Sequence, residues 1–350
     1  MNILLTTLYF IIVLTIVVFI HELGHFLVAK SFGVKIVEFS IGMGRKLFGF
    51  KDKDGCDWSV RLLPVGGYVQ MYGDDNASSF NAYKENPTED ELKYSLQYKH
   101  PLKKIAVAFA GPFMNFVLAF VLFFATLVFQ GKPVAEPIIY KVSKDSYAEK
   151  SGIRAGDKII AINGKKIVNF NDIVLNLQGN KNKKNKIELI RKGKTIFVDA
   201  QYKKNELFGI QGNKIKYDKI SFSSSIKESF NMVYDLSVKT GKAFWNMFAH
   251  QTGFKNIGGP IGIAKESAKA GEQGFWTFVY FIALISVALG ATNLIPIPVL
   301  DGGQMVISFF EFITRRRISN FVYKILAYIG LGFVIALMGL GFVNDLFINR

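Results

Sequence analysis

His21-Glu22-Leu23-Gly24-His25 (HELGH) decides the reading of this chain, because it sets two of its four histidines and a glutamate inside the first apolar run. On a helix, positions i and i+4 share a face. The two imidazoles can therefore hold one metal ion while Glu22 points toward the remaining coordination position. This is the HExxH pattern of zinc hydrolases. Residues Ile3 to Ile20 are apolar and Phe26 to Ala29 resume the run, so the site is expected inside a membrane. A charge at the centre of a transmembrane helix costs roughly 2.5 to 3.5 kcal/mol on insertion scales, so clustered ionisable groups there point to function. The bland alternative is a pair of core histidines satisfied by their neighbours.

The rest of the chain agrees with that setting. It has 350 residues, 50% of them hydrophobic, with 33 Phe, and its mean hydropathy is +0.25. That composition suits a membrane protein with a soluble insert better than one globular domain. Four stretches reach the roughly 20 residues a crossing needs: about Ile3 to Ala29, Leu102 to Phe129, Phe275 to Val299 and Phe321 to Val343. The first lacks a basic lead-in and a small-residue cleavage pattern, so it reads as a retained helix rather than a signal peptide. Lys30 and Lys35, then Lys99, Lys103 and Lys104, then Arg315, Arg316 and Arg317 place the short flanks in the cytoplasm. The long insert from Gly131 to Gly274 and both termini then face outward. A net charge of +16 raises nucleic acid as a partner, but the basic residues are dispersed and no nucleic-acid motif accompanies them. Attraction to anionic headgroups of the lipid bilayer is the simpler account, and no nucleic-acid partner is expected. The single cysteine, Cys56, excludes an intramolecular disulfide and a cysteine zinc site, and reads as a loop thiol.

A catalytic zinc takes a third protein ligand and keeps a fourth position for water. The third apolar stretch ends in NLIPIPVLDGG, Asn293 to Gly303, where Pro296 and Pro298 break the helix just before Asp301. Freed backbone at membrane depth must line a protein or water cavity. Gly302 and Gly303 permit a tight turn aiming the carboxylate inward. The first and third spans run in the same direction, so His21, His25 and Asp301 can converge on Zn2+. Asp301 alone would equally read as a helix-end aspartate opening a loop. Asn293 offers an amide to a developing oxyanion or to substrate backbone, or else makes an interhelical hydrogen bond.

HELGH in a first transmembrane helix with NLIPIPVLDGG in a late one resembles the site-2 protease (M50) family of intramembrane zinc metalloproteases, particularly its bacterial RseP-like branch, which regulates sigma factors. AGPFMN (Ala110 to Asn115) and GGPIGI (Gly258 to Ile263) support the likeness, which spans essentially the whole chain. The resemblance implies zinc ligands His21, His25 and Asp301, a catalytic Glu22, and a transmembrane protein or peptide as substrate. It also implies a multi-pass protein of the bacterial inner membrane with its active site toward the cytoplasm. Within the insert, Ile138 to Ala200 reads as short β runs around SGIRAGDKIIAINGKKI, Ser151 to Ile167, with an Asn163-Gly164 turn. This looks like a PDZ domain, which takes an extended peptide ligand as an added strand, although a generic β-domain is the alternative. Many RseP-like enzymes carry two such domains, whereas this chain has room for one.

The expected fold is thus an α-helical polytopic membrane protein with about four transmembrane helices, a membrane-associated β-hairpin or sheet, and an inserted α+β PDZ domain. Its segments are 1–33 with HELGH, a hairpin over 34–75, a cytoplasmic linker over 76–101, and a second span over 102–130. The PDZ unit over 134–202 and a post-PDZ amphipathic segment over 203–274 follow, then the third span over 275–303, a basic loop over 304–320 and the last span over 321–346. The hairpin alternates around KDKDG; in the resembled family this segment re-enters the membrane beside the site, and the alternative is a peripheral hairpin. Ile226, Phe230, Val233, Tyr234, Gly241, Phe244, Trp245 and Phe248 fall near one helical face, which suits the outer membrane surface or packing on the PDZ unit. The expected chemistry is peptide hydrolysis, with Zn2+ acidifying water, Glu22 moving its proton to the leaving amine, and Asn293 steadying the oxyanion or the unwound substrate. A metal transporter with a His21, His25 and Asp301 transit site and a noncatalytic PDZ membrane adaptor are the rival readings.

Overall fold

A computed structural model describes residues 2–73, 87–179, 184–201, 207–212, 215–249 and 258–348. Among these, four helical stretches are long and apolar enough to cross a bilayer: Ile3–Ser31, Pro101–Phe129, Phe275–Asn293 and Phe321–Phe347. The chain divides into two units, Met1–Thr126 with Ser223–Arg350, and Leu127–Phe222.

In the first unit, α1 (Ile3–Ser31) leads into a hairpin of β1 (Ile36–Lys51) and β2 (Asp57–Met71), followed by the short α2 (Glu89–Tyr94) and by α3 (Pro101–Phe129). Much of the expected 76–101 linker lies outside the described residues. The hairpin pairs antiparallel, but both strands bend, so residues of β1 find partners on either side: Ser40 faces Tyr68 and Ser59, and Ile41 faces Gly67 and Val60. One buried carboxylate ties these runs together. Glu38 accepts hydrogen bonds from Ser59 Oγ, from Arg61 Nη2 (2.7 Å) and from Tyr68 Oη (2.9 Å). The base of the hairpin packs on α1 and α3 through Phe26, Phe39, Val69, Met71 and Val107. Its distal half keeps Leu47, Phe48, Phe50, Leu62 and Leu63 exposed, more apolar surface than an aqueous hairpin displays singly.

The second unit holds β3 (Lys132–Ala135), β4 (Ile139–Val142), α4 (Tyr147–Lys150), β5 (Lys158–Ile162), β6 (Lys165–Lys166), α5 (Phe170–Gly179), β7 (Asn185–Arg191), β8 (Lys194–Ala200), β9 (Ile210–Gly212) and β10 (Ile215–Asp218). A four-stranded sheet in the order β6-β5-β7-β8 and the pair β4-β9 close over an isoleucine-rich core including Ile139, Ile159, Ile162, Ile173 and Ile187, and β10 pairs with β3. Asn163 and Gly164 both adopt positive φ, 51° and 78°, as a two-residue turn matched to strand twist requires.

Back in the first unit come α6 (Phe222–Ala249), α7 (Pro260–Glu272), α8 (Phe275–Asn293), α9 (Asp301–Thr314) and α10 (Asn320–Val343), which runs into a π-helical turn at Asn344–Ile348. Along α6, Val233 packs with Met232 and Leu236 against α3 and α8, while Ile226, Phe230, Tyr234 and Trp245 remain exposed. The side chain of Phe248 lies outside the described residues.

Two expectations need correcting. The third span stops at Asn293 rather than near Val299, because Pro296 and Pro298 remove backbone donors and the chain instead makes tight turns, such as Leu300 N to Ile297 O at 2.8 Å. The segment expected as a loop over 304–320 is helical through Thr314, so two separate helices, α8 and α9, flank the IPIP break. Broken helices are tolerated at membrane depth only where they line a cavity.

Candidate metal centre

α1 presents His21 and His25 one turn apart, with their Nε2 atoms separated by 3.2 Å. Asp301, the first residue of α9, brings its carboxylate to the same point: Oδ2 is 3.2 Å from His21 Nε2 and Oδ1 is 3.4 Å from His25 Nε2. The helix N-terminus there favours a negative charge. The three side chains are 9, 12 and 19% exposed, and one ligand atom from each lies within 4.8 Å of the others.

Hydrogen bonds from behind decide what these groups present to one another. His25 Nδ1 lies 2.8 Å from the carbonyl oxygen of Val107 on α3. A carbonyl only accepts, so Nδ1 carries the proton and Nε2 turns a lone pair inward. His21 Nδ1 meets the side-chain amide of Asn115, also on α3, at 3.1 Å. Asn115 is fully buried, yet its Oδ1 has no hydrogen-bond partner. A half-turn of the amide exchanges its oxygen and nitrogen. That half-turn lets Oδ1 accept from His21 Nδ1–H and leaves Nε2 as a second inward lone pair. Asp301 Oδ2 is likewise buried without a hydrogen-bond partner. With both Nε2 atoms unprotonated, two imidazole lone pairs and a carboxylate face one point, the donor set that a divalent cation takes. Tetrahedral zinc with bonds of ~2.0 to 2.1 Å separates its ligand atoms by about 3.3 Å, so these residues fit the ion.

Packing keeps the cluster tight. A Cβ added at Gly111, in the AGPFMN string, would collide with His25 Nε2, so α3 can lie this close to the rings only with glycine there. Gly302 and Gly303 work differently from the sequence expectation. Neither adopts positive φ; they sit inside α9, where an added Cβ would strike the carbonyls of Leu294 and Ile297. Their smallness lets the helix restart against the broken segment and brings Asp301 inward.

Glu22 lies on the same stretch of α1, within coulombic range of His25, His21 and Asp301. A Cβ on Gly67 of β2 would fall 3.2 Å from Glu22 Cγ, so the hairpin passes directly beside this carboxylate. Asn293, at the end of α8, places its Nδ2 3.3 Å from His21 Nε2. Every residue singled out in the sequence as a site residue is therefore gathered here. Sequence reasoning did not assign a role to Asn115, Gly111 or the Val107 carbonyl, although the AGPFMN string marked their helix.

Apolar spanning helices that enclose a HExxH pair and a distant aspartate define a membrane metallohydrolase. The chain matches Peptidase family M50 over residues 9–337 and belongs to that family, the site-2 protease family. It is a zinc metalloprotease and a membrane protein. A Rickettsia conorii protein named provisionally as a zinc metalloprotease is 36% identical, the match covering 96% of this chain and 97% of the relative. A similarly named Mesorhizobium japonicum protein is 33% identical, with 97% of each chain covered. One from Clostridium acetobutylicum is 34% identical, with 94% of each covered.

Proposed function

We propose that this metalloprotease hydrolyses peptide bonds within or next to transmembrane segments of other membrane proteins, with His21, His25 and Asp301 holding zinc. The observation that carries the reading is the convergence of three ligand atoms, two from His21 and His25 on a helix apolar enough to cross a bilayer and one from Asp301 at the start of α9. When bound, zinc supplies Lewis-acid polarisation of the scissile carbonyl and an acidified water. Glu22 accepts the proton given up by the attacking water and delivers it to the leaving amine. The amide of Asn293, at the rim of the cluster, donates to the oxygen that gains charge or to the unwound substrate backbone. The helical substrate must expose its amide before cleavage, and β2 passing Glu22 at Gly67 offers strand-like backbone to hold it.

The inserted unit supports a PDZ reading through its small sheets, two helices and Asn-Gly hairpin; as a PDZ domain it would bind an extended peptide or screen the ends of substrates. The basic flanks Lys99 to Lys104 and Arg315 to Arg317 support a reading with the active site toward the cytoplasm and the insert outside, in the inner membrane of a bacterium. Regulated cleavage of anti-sigma factors and removal of signal-peptide remnants are the substrate roles this reading favours.

The test is incubation of the purified protein with single-span membrane peptides, with and without a zinc chelator, followed by mass spectrometry. Cuts inside apolar segments that vanish with chelator and with Glu22→Gln are expected. Cleavage confined to soluble peptides, or undiminished turnover by zinc-loaded Glu22→Gln, would overturn it.

A further inference from the structure

We propose that a cavity between the start of α3 and the end of α9, far along both helices from Gly111 and Asp301, binds the phosphate of an anionic phospholipid headgroup. The cavity measures about 480 Å³, and Lys99, Lys104, Arg315, Arg316 and Arg317 line it. Glu311 is the one carboxylate among the lining residues. That carboxylate is already engaged, 3.0 Å from Lys104 Nζ and accepting from Ile318 N at 3.3 Å. The lining thus carries five Lys and Arg side chains against one carboxylate, a cationic wall that attracts an anion.

Several features hold the cations in place for such a ligand. Arg315 adopts a left-handed conformation, φ 55°, ending α9 and turning the arginine run across the cavity mouth. The Arg317 guanidinium lies over the Tyr98 ring at 5.2 Å, which orients its planar donor fork. His100 packs edge-on to Phe312, joining the two walls, and its Nδ1 accepts from Leu102 N in the first turn of α3. The positive end of that 29-residue helix adds to the field. Arginine forks and lysine point charges are the donor set that phosphate recruits.

Position selects the source of the phosphate. Pro101 begins one candidate span, and Arg315 to Arg317 lie just before another, Phe321–Phe347. The cavity thus sits where the chain enters the apolar layer, at headgroup level, where anionic lipid is concentrated and each nearby Lys or Arg is worth about 1 kcal/mol of attraction. A lipid there would bridge α3, which orients both histidines, and α9, which carries Asp301.

Native mass spectrometry of the full chain, released from micelles containing phosphatidylglycerol or phosphatidylcholine, tests the site, with thermal unfolding in the same mixtures. The wild type is expected to retain phosphatidylglycerol about tenfold better than phosphatidylcholine, a preference of about 1.4 kcal/mol, and to unfold at higher temperature with it. Replacing Arg315, Arg316 and Arg317 together by Gln should remove both effects. Replacing the exposed Lys158, Lys165 and Lys166 of the insert by Gln, the same loss of charge elsewhere, should leave them. Equal loss in both triple variants would reduce the effect to diffuse electrostatics and overturn the site. Full reproduction of the thermal shift by inorganic phosphate would overturn the lipid assignment, and equal shifts with a soluble acidic peptide would do the same. Should the arginine variant fail to fold, Lys99→Glu probes the same cavity, and unchanged phosphatidylglycerol retention in it would overturn the proposal.

Discussion

His25 Nδ1 stands 2.8 Å from the carbonyl oxygen of Val107, so a helix that supplies no ligand atom fixes which ring nitrogen of His25 faces the metal centre. Asn115, two turns further along α3, does the same for His21 at 3.1 Å. Both histidines sit on α1, yet α3 decides how they present their lone pairs.

Asn115→Leu should therefore weaken zinc binding without removing a ligand. Partners behind metal-bound histidines are typically worth 10- to 100-fold in affinity or activity, and a loss of about that size is expected here. Competition against a chelator of known affinity measures it. Asn115→Asp, which keeps an oxygen facing His21 Nδ1, should retain more affinity than Asn115→Leu; equal loss in the two would count against the orienting role.

Asp301→Ala should cost more. The variant leaves two imidazoles in a three-ligand site and removes the carboxylate whose oxygens lie 3.2 and 3.4 Å from the Nε2 atoms. Metal analysis after purification should find most of the zinc gone, with unfolding temperature lowered by loss of the bound ion. Wild-type zinc content in this variant would remove Asp301 from the ligand set.

Much of this was legible in the sequence because the informative residues violate their surroundings. His21, Glu22 and His25 stand out against an apolar helix, and Asp301 stands out behind two prolines, so position alone marks them. The four spans and the Asn163-Gly164 turn follow from apolar length and from φ preference, both local properties. Asn115 was hidden because a lone asparagine in an apolar helix reads equally as an interhelical hydrogen bond, and only the fold shows which imidazole it meets. The helix from Asp301 to Thr314 was hidden because Gly302 and Gly303 argue against helix locally. Their close approach to the Leu294 and Ile297 carbonyls reverses that propensity, and this is a tertiary fact.

Acid should weaken the hairpin before the helices. Burial pushes the Glu38 carboxyl upward, but hydrogen bonds from Ser59, Arg61 and Tyr68 outweigh it and hold the group below its ordinary value of 4.5. A carboxyl lowered in the folded state contributes stability that is complete above its unfolded value and is lost as pH falls through the folded one. The unfolding temperature should accordingly decline on acidification below about pH 4.5, and decline less in Glu38→Gln. At neutral pH the same variant should lose about 1.5 to 3 kcal/mol, the usual range for hydrogen bonds to a charged group. Parallel acid profiles for the two proteins would refute the role given to this carboxylate.

The GGPIGI string owes its form to a residue near the other end of the chain. Asp345, 4% exposed, accepts from Gly259 N at 3.0 Å and from Gly262 N at 2.8 Å, capping α7 where its N-cap glycine has no side chain to do so. An added Cβ at Gly259 or Gly262 would crowd this carboxylate, so glycine at both positions lets it approach the amides. Asp345→Ala strands one buried and one part-buried donor, at a cost of about 1 to 3 kcal/mol for the buried one and less for the other. Asp345→Asn keeps one oxygen acceptor and should lose roughly half as much. Hydrogen exchange reads the effect directly: the amides of Gly259 and Gly262 should exchange faster in Asp345→Ala, while those in the middle of α3 keep their wild-type protection. Unchanged exchange at both glycines would show that the carboxylate does not hold this helix end.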